Sequence, residues 1–531
     1  MIITEILARN ARRWPWASAL IERDPARGRR REIDWLTFDR AANRFANALI
    51  RSGVNKGDRV VHLMMNCLEW LPAYFGILRS GAWAVPLNFR FEAEVIAACG
   101  EVAQPRVFLF GEEFIDRVRE AKPTLDRSVE HYVYLGPEEK CPAFATGYRE
   151  FTRDAPENDP AVPLEISDDA ALYFTSGTTG QPKAVRLTHR NLEHACYVEN
   201  RHHLQTRDDL FLCIPPLYHT GAKMHWFGSF IVGGPAVILK GIRPHWILEA
   251  VSEEGATIVW LLVPWAHDIL IALESGELDA ADYRLEQWRL MHIGAQPVPP
   301  TLIAAWKRRF PHHQYDTNYG LTETTGPGCV HLGLENGHKI GAIGIPGFDW
   351  ECRILDLEGT GEVADGEPGE LLVKGPGVMK EYYRNPAATA EALDNGWLHT
   401  GDIARRDSEG FIWLVDRKKD LIITGGENVS PVEVENFYLA HAAVHDVAVI
   451  GTPDERLGEL VTAIIQVKEG HHLEIDEALA FSQGLPRYKR PRIIHFGPVP
   501  RNATGKIEKP KLRERYAGRA GPGSEGRGTR T

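Results

Sequence analysis

Apolar positions along this chain alternate between two spacings, and the switches between them mark out its elements. Over residues 34–52, Trp35, Phe38, Ala41, Ala42, Phe45, Ala46 and Leu49 recur at helical intervals and predict an amphipathic helix. The run Gly57-Asp58-Arg59-Val60-Val61-His62-Leu63 reads as a turn entering a strand, after which Trp70, Tyr74 and Ile77 resume helical spacing as far as Gly81. Residues 84–87 and 106–110 are further short strands, so strand and helix alternate as in a layered α/β domain. Apolar runs at 170–174, 210–214 and 258–263 predict buried strands, and another strand starts at Leu290 and ends in the glycine turn 294–297. Thr188 fits the N-cap of a helix, and residues 224–230 read as one more. The first 17 residues carry arginines and a helical stripe of Ile3, Ile6, Leu7 and Trp14. Glu5 and the lack of a cleavage-like stretch favour a structural helix there over a transit peptide.

The C-terminal quarter has its own pattern. Residues 366–384 read as a turn, an alternating strand and a Gly-Pro-Gly bend. Residues 411–415 form a strand running into Asp416-Arg417. The basic stretch that follows joins two folded parts. Pro431 sits where a proline opens a helix, and residues 444–450 and 460–467 are strands of a small domain. Residues 517–531 are rich in Gly and Arg and are expected to be a disordered tail.

A chain of 531 residues exceeds what one hydrophobic core organises, which agrees with a boundary near residues 418 and 419. A formal net charge of −11 argues against a general nucleic-acid surface. No apolar run approaches the ~20 residues that span a bilayer, so no transmembrane segment is expected. The seven cysteines are odd in number, scattered and never spaced Cys-x-x-Cys. Neither a zinc site built on cysteine nor a disulfide framework is indicated, and a reducing cytoplasm fits. A homo-oligomer stays open.

The chemistry concentrates between residues 173 and 183. Thr175, Ser176, Thr178 and Thr179 alternate with Gly177 and Gly180, and Lys183 closes the loop. Glycines let backbone N–H groups turn toward an anion, hydroxyls add donors and the lysine adds charge, which together make a phosphate cradle. The spacing is not that of the P-loop, and Gly505-Lys506 also fails that motif because Ile507 follows. Downstream, Asn318-Tyr319-Gly320-Leu321-Thr322-Glu323 puts a carboxylate beside a hydroxyl after a glycine, an oxygen donor set suited to Mg²⁺ carried on ATP phosphates.

The order TSGTTG-x-PK resembles the signature of the acyl-adenylate-forming superfamily of acyl-CoA synthetases, luciferases and peptide-synthetase adenylation domains. Four later motifs agree in order: the turn 294–297, the YGLTE run, Trp397 to Asp402, and the glycine–lysine pair ending at Lys506. The resemblance implies an α/β fold with a large multi-layered N-terminal ATP- and acyl-binding domain, 1–418. It also implies a small mobile α+β C-terminal domain, 419–516. It assigns Glu323 to Mg²⁺, Thr322 to the α-phosphate, Tyr319 to adenine, and Gly294, Ala295 and Gln296 to adenine and the acyl group. Asp402 would hold the ribose, backed by Arg417. Lys419 would be the hinge, Gly425, Gly426 and Glu427 the pantetheine loop, and Lys506 the mobile catalytic lysine. His219 would stand at the mouth of an acyl pocket with Lys223, Trp226 and Phe227 along its helix. Departures from the usual pattern are Ala184 and Asp416 for Gly, Phe411 for Tyr, and Lys223 where an apolar residue is common. Lys223 either meets a polar group on the acid or points to solvent.

The function implied is AMP-forming ligation of a carboxylic acid to coenzyme A, using ATP and Mg²⁺. Trp226, Phe227 and Trp265 hint at a short pocket for an aromatic, alicyclic or medium-chain acid. The alternatives are an adenylating enzyme that loads a carrier protein and a silent acyl or nucleotide sensor. Against the first, Tyr218-His219 lacks the Asp that would hold an α-amine, and no carrier domain follows Lys506. Against the second, the loop, Glu323 and Lys506 are all intact.

Overall fold

A computed structural model describes residues 1–175, 182–501 and 507–516. Backbone contacts divide it into two units. One holds residues 1–294, 300–352 and 373–399; the other holds the described residues of 295–299, 353–372 and 400–516.

The first unit is built on two large sheets. The eight-stranded sheet runs in the order Glu381–Tyr382, Lys183–Thr188, Asp169–Thr175, Trp83–Pro86, Arg59–Leu63, Val107–Gly111, His131–Leu135 and Thr146–Gly147. Its middle strands are parallel and buried on both faces, which is why Val107–Gly111 reads as an unbroken apolar run. The seven-stranded sheet orders Gln314–Asp316, Leu290–Gly294, Ile258–Leu262, Phe211–Cys213, Ala236–Leu239, Ser18–Asp24 and Arg29–Asp34. Only the last pair is antiparallel.

Helices that follow strands of both sheets pack on one another. Trp35–Arg51, Trp70–Arg79 and Thr220–Phe230 meet through Phe38 edge-on to Phe75 at 5.4 Å and Phe75 against Phe230 at 5.3 Å. The helical stripe expected over 34–52 is therefore the buried face of Trp35–Arg51, with Trp35, Phe38, Phe45 and Leu49 fully enclosed. The N-terminal stretch forms the helix Ile3–Arg13. Thr188 caps His189–His203, its hydroxyl accepting from the backbone N–H of Asn191. A three-stranded sheet of Asn318–Leu321, Gly326–His331 and Ile345–Pro346 completes the unit.

In the second unit, Val444–Asp454 and Gly458–Val467 form a long hairpin flanked by Ile422–Thr424, Glu427–Val429 and Ile493–Phe496. The helices Pro431–Leu439 and Lys509–Tyr516 cover this sheet through Val434, Tyr438, Leu512 and Tyr516. Residues 400–418 group with this unit because Ile412–Arg417 pairs antiparallel with Trp397–Arg406, and Thr400 Oγ1 donates to Leu371 O at 2.6 Å. Asp416, where glycine is usual, has a local task. Its carboxylate accepts from Ser430 Oγ at 2.8 Å and Val432 N at 3.1 Å, so it helps hold the start of Pro431–Leu439.

Candidate active site

The phosphate loop grows out of a hairpin. Asp169–Thr175 and Lys183–Thr188 pair antiparallel with Thr175 directly opposite Lys183, so the two ends of the loop are fixed at one sheet position. Ser176, Gly177, Thr178, Thr179 and Gly180 lie outside the described residues. Glu381–Tyr382 adds to the same edge, with Tyr382 opposite Val185. This places the Lys183 ammonium 4.8 Å from the centre of the Tyr382 ring.

Glu323 sits at the tip of the second hairpin. Asn318–Leu321 turns through Thr322–Thr324 into Gly326–His331, and the turn is tied by Leu321 N donating to Thr324 Oγ1 at 2.7 Å. Thr325 takes φ +67°, which closes the turn, and its hydroxyl donates to Gly377 O at 2.6 Å. Gly320 is required by space, since a Cβ there would run into the carbonyl of Gly326. The result is a half-buried Glu323 whose Oε1 accepts from Tyr382 Oη at 2.7 Å. Burial and the Glu323 charge push the Tyr382 phenol pKa up, so it stays a proton donor. Tyr382 thus touches both the lysine of one hairpin and the acid of the other. The sequence pattern did not single it out, although it lies at the end of the 366–384 stretch, which closes in Lys380-Glu381-Tyr382-Tyr383-Arg384. Tyr319 is buried, and Cys329 Sγ contacts its carbonyl at 2.9 Å.

His219 and Lys223 lie on the helix Thr220–Phe230. His219 is its N-cap, with Nδ1 accepting from Gly221 N at 3.2 Å. Lys223 corrects the solvent-facing alternative: it is completely buried. Its ammonium lies 4.6 Å from the Tyr173 ring centre, 5.3 Å from Tyr74 and 5.4 Å from Trp70, and donates to Leu217 O at 3.2 Å. Among the described residues no carboxylate pairs with it, and burial drives its pKa well below that of an ordinary lysine. Trp226 and Phe227 pack into the aromatic core beside Phe230, and Trp226 Nε1 donates to Gly234 O at 3.1 Å.

Within the second unit, Asp402 and Arg417 face each other across paired strands, their side chains 3.2 Å apart. Asp402 is 5% exposed, which keeps its carboxylate in a low-dielectric rim where a hydroxyl pair would bond strongly. Lys419 occupies an exposed turn after Ile412–Arg417, closed by Asp420 N and Leu421 N donating to Arg417 O at 2.8 and 3.1 Å. Gly425 and Gly426 are the two central residues of the Ile422–Thr424 to Glu427–Val429 hairpin, at φ +59° and +87°. Two positive φ values in a two-residue loop are why both positions are glycine. Ala295, next to Gly294 and Gln296, also takes a positive φ of +68°. Lys506 lies outside the described residues. Its flanks Arg501 and Ile507 form an antiparallel bridge.

Comparisons with known proteins agree with this architecture. The AMP-binding enzyme family matches residues 7–383, and the AMP-binding enzyme C-terminal domain matches residues 433–506. A feruloyl-CoA synthase of Amycolatopsis is 34% identical over 514 residues, covering 96% of this chain and 98% of that one. A crotonobetaine/carnitine–CoA ligase of Citrobacter koseri is 32% identical over 491 residues, covering 91% and 93%. The crystal structure of the anthranilate CoA ligase AuaEII in complex with anthranoyl-AMP superposes with a TM-score of 0.88 at 26% identity, covering 97% of each chain. The hairpin-borne Lys183, the Glu323 turn and these matches along nearly its whole length establish that the chain belongs to the AMP-binding enzyme family.

Proposed function

We infer that the chain is an AMP-forming carboxylate–CoA ligase. The observation that carries this reading is the joint placement of Lys183 and Glu323 on Tyr382, which supports one polyphosphate-handling edge built from two separate hairpins. In the first half-reaction a carboxylate oxygen of the acid bonds to the α-phosphorus of ATP, and the bond to the bridging oxygen breaks with loss of pyrophosphate. In the second, the thiol sulfur of coenzyme A bonds to the acyl carbon, AMP leaves with the bonding pair, and the thiol proton is released.

The residues divide the work as follows. Thr175, the hydroxyl loop after it and Lys183 hold the β and γ phosphates. Glu323 and Thr322 offer the oxygen donors that a hard ion takes, and they fit Mg²⁺. That ion, bound with the nucleotide, would screen phosphate charge as the carboxylate approaches. Tyr382 keeps the Glu323 carboxylate aimed. Asp402 accepts from the ribose hydroxyls with Arg417 beside it, and Tyr319 stacks on adenine. Lys506 neutralises the α-phosphate during adenylation. The Gly425–Gly426 turn with Glu427 lines the pantetheine path once the residues after Lys419 rotate.

The acid belongs to a compact, ring-bearing class, a reading supported by the feruloyl and anthranilate names of two relatives. No helix among the described residues is long and apolar enough to cross a membrane. The odd number and scattered spacing of the cysteines support a reducing, cytoplasmic setting. The test is release of AMP and of acyl-CoA from a panel of aromatic, alicyclic and straight-chain acids, run beside pyrophosphate exchange. Exchange without acyl-CoA, recovered by adding a carrier protein, would replace coenzyme A with that acceptor. Absence of exchange with every acid would leave the silent sensor.

A further inference from the structure

Behind the strand that carries Asn318 and Tyr319 lies a fully buried group of histidines and acids that the ligase chemistry does not use. Glu199 and His203 are four residues apart on the helix His189–His203 and so share one face. His331 ends Gly326–His331 and stands opposite Asn318 in the strand pairing. Asp316 ends Gln314–Asp316. All four side chains have no exposed surface.

Three ligand atoms here make no well-directed hydrogen bond, Glu199 Oε2, His203 Nδ1 and His331 Nε2, the last of them 3.1 Å from Asp316 Oδ2. Each of the three residues offers one ligand atom, and these lie within 4.8 Å of one another, close enough to share one ion. Glu199 Oε2 and His203 Nδ1 are 3.3 Å apart. Two ligands on a tetrahedral ion with bonds near 2.1 Å sit roughly 3.4 Å apart, so this edge already has the spacing a metal needs. The other atoms of the same side chains are held as outer-shell groups hold ligands. His203 Nε2 is 2.8 Å from Asp316 Oδ2, which fixes the tautomer that frees Nδ1. Asn318 Nδ2 donates to Glu199 Oε1 at 3.2 Å, leaving Oε2 as the free lobe. Gly333 N is shared between His331 Nδ1 at 3.2 Å and Asp316 Oδ1 at 3.1 Å. Metal on His331 Nε2 would displace its contact with Asp316 Oδ2 and move the ring proton to Nδ1, which then gives up Gly333 N to Asp316.

Charge points the same way. Two buried carboxylates face each other's histidines, and among the described residues neither pairs with a lysine or arginine. Asp316 is met by three histidines and Gly333 N, whereas Glu199 has only Asn318 Nδ2 and His203 beside it; an acid so thinly met is costly to bury, and a divalent cation offsets it. Imidazole ligands select a borderline ion such as Zn²⁺, not the hard Mg²⁺ of the nucleotide site. His292 and His225 bond each other at 2.7 Å and lie outside this first ring.

We propose that Glu199, His203 and His331 bind one structural first-row divalent ion, with Zn²⁺ the best fit and Asp316 orienting His203. The ion ties the helix His189–His203 to the strand paired with Asn318–Leu321, and so fixes Tyr319 from behind. This holds whether or not coenzyme A is the acceptor, because it rests on the first unit alone.

The experiment uses the full chain without a histidine tag. The protein is incubated with Zn²⁺, gel-filtered, and its metal measured by mass spectrometry and its melting temperature with and without EDTA. We expect about one ion per chain, a lower melting temperature in EDTA, and a visible Co²⁺ spectrum of a four-coordinate N/O site after exchange. Asp316→Asn should weaken affinity by roughly 10–100-fold, and His331→Asn should abolish the Co²⁺ spectrum. A wild-type protein that holds no Zn²⁺ after filtration, with melting unmoved by EDTA or Zn²⁺, shows a proton-balanced network and overturns the proposal. Full metal content in a folded His331→Asn variant overturns it too, by placing the ion elsewhere.

Discussion

Tyr382 Oη donates to Glu323 Oε1 at 2.7 Å while its ring lies 4.8 Å from the Lys183 ammonium, so one residue joins the phosphate hairpin to the acid turn. The phenol bond removes one of the carboxylate's rotational choices, and the ring keeps the lysine on the same edge. Tyr382→Phe retains the ring and deletes only the bond. A hydrogen bond to a charged group is worth ~1.5–3 kcal/mol, so adenylation should slow by about 10–100-fold with the melting temperature little changed. Pyrophosphate exchange across a Mg²⁺ titration reads this. An unchanged rate and Mg²⁺ dependence would reduce the bond to a structural contact.

Asp402 predicts discrimination by the sugar. Its carboxylate lies 3.2 Å from Arg417, and in the proposed function it accepts from the ribose hydroxyls. The wild-type enzyme should prefer ATP over 2′-deoxy-ATP. Asp402→Asn should raise KM for ATP by about 10-fold or more and narrow that preference. Equal losses with both nucleotides would mean that the acid does not read the sugar.

Lys223 predicts a pH-dependent stability. Its neighbours are Trp70, Tyr74, Tyr173, His62 and Cys213, none of them an anion at neutral pH. The folded-state pKa is depressed, so between it and the ordinary lysine value of ~10.4 the unfolded chain binds more protons and stability rises with pH. Lys223→Met lacks this penalty. It should melt ~2 °C or more above the wild type at pH 7, with the gap closing as pH climbs toward 10. A variant less stable at every pH would show that the aromatic rings hold a charged ammonium favourably.

The two half-reactions should separate by mutation. Lys506→Ala should slow adenylation by about 10²–10³-fold, the scale of one lost preorganised charge, and spare thioester formation from preformed acyl-adenylate. Lys419→Pro should do the reverse, because proline fixes φ near −65° in the exposed turn after Arg417 and restricts the residue before it. Single-turnover measurements of each step decide. A folded Lys419→Pro protein that makes acyl-CoA at the wild-type rate would move the hinge elsewhere.

Local order was legible because it depends on neighbours in the chain. The helical stripe of Trp35–Arg51, the buried run of Val107–Gly111 and the Thr188 cap each follow from spacing and residue type within one turn or one strand. The glycines at 425, 426 and 320 came with the motifs of the resemblance, and the structure supplied their reason, a positive φ at the first two and a close approach at the third. The ordered run of short motifs was enough to indicate the family, because each motif is contiguous.

Long-range partnerships were not legible. Tyr382 reaches Glu323 across 59 positions and His203 reaches Asp316 across 113, and no periodicity encodes such a meeting. Lys223 shows the limit most plainly. Its charge suggested solvent or substrate, yet the helix Thr220–Phe230 is buried along its whole length and carries the side chain into an aromatic box. The Glu199-x-x-x-His203 spacing was present in the sequence as a metal-like pair, but its third ligand arrives from a strand more than a hundred residues away. The sequence by itself determined the elements, the motifs and the family. Which of the buried charges oppose one another was decided only by the tertiary structure, because burial and pairing are properties of the packed sheets and not of any segment.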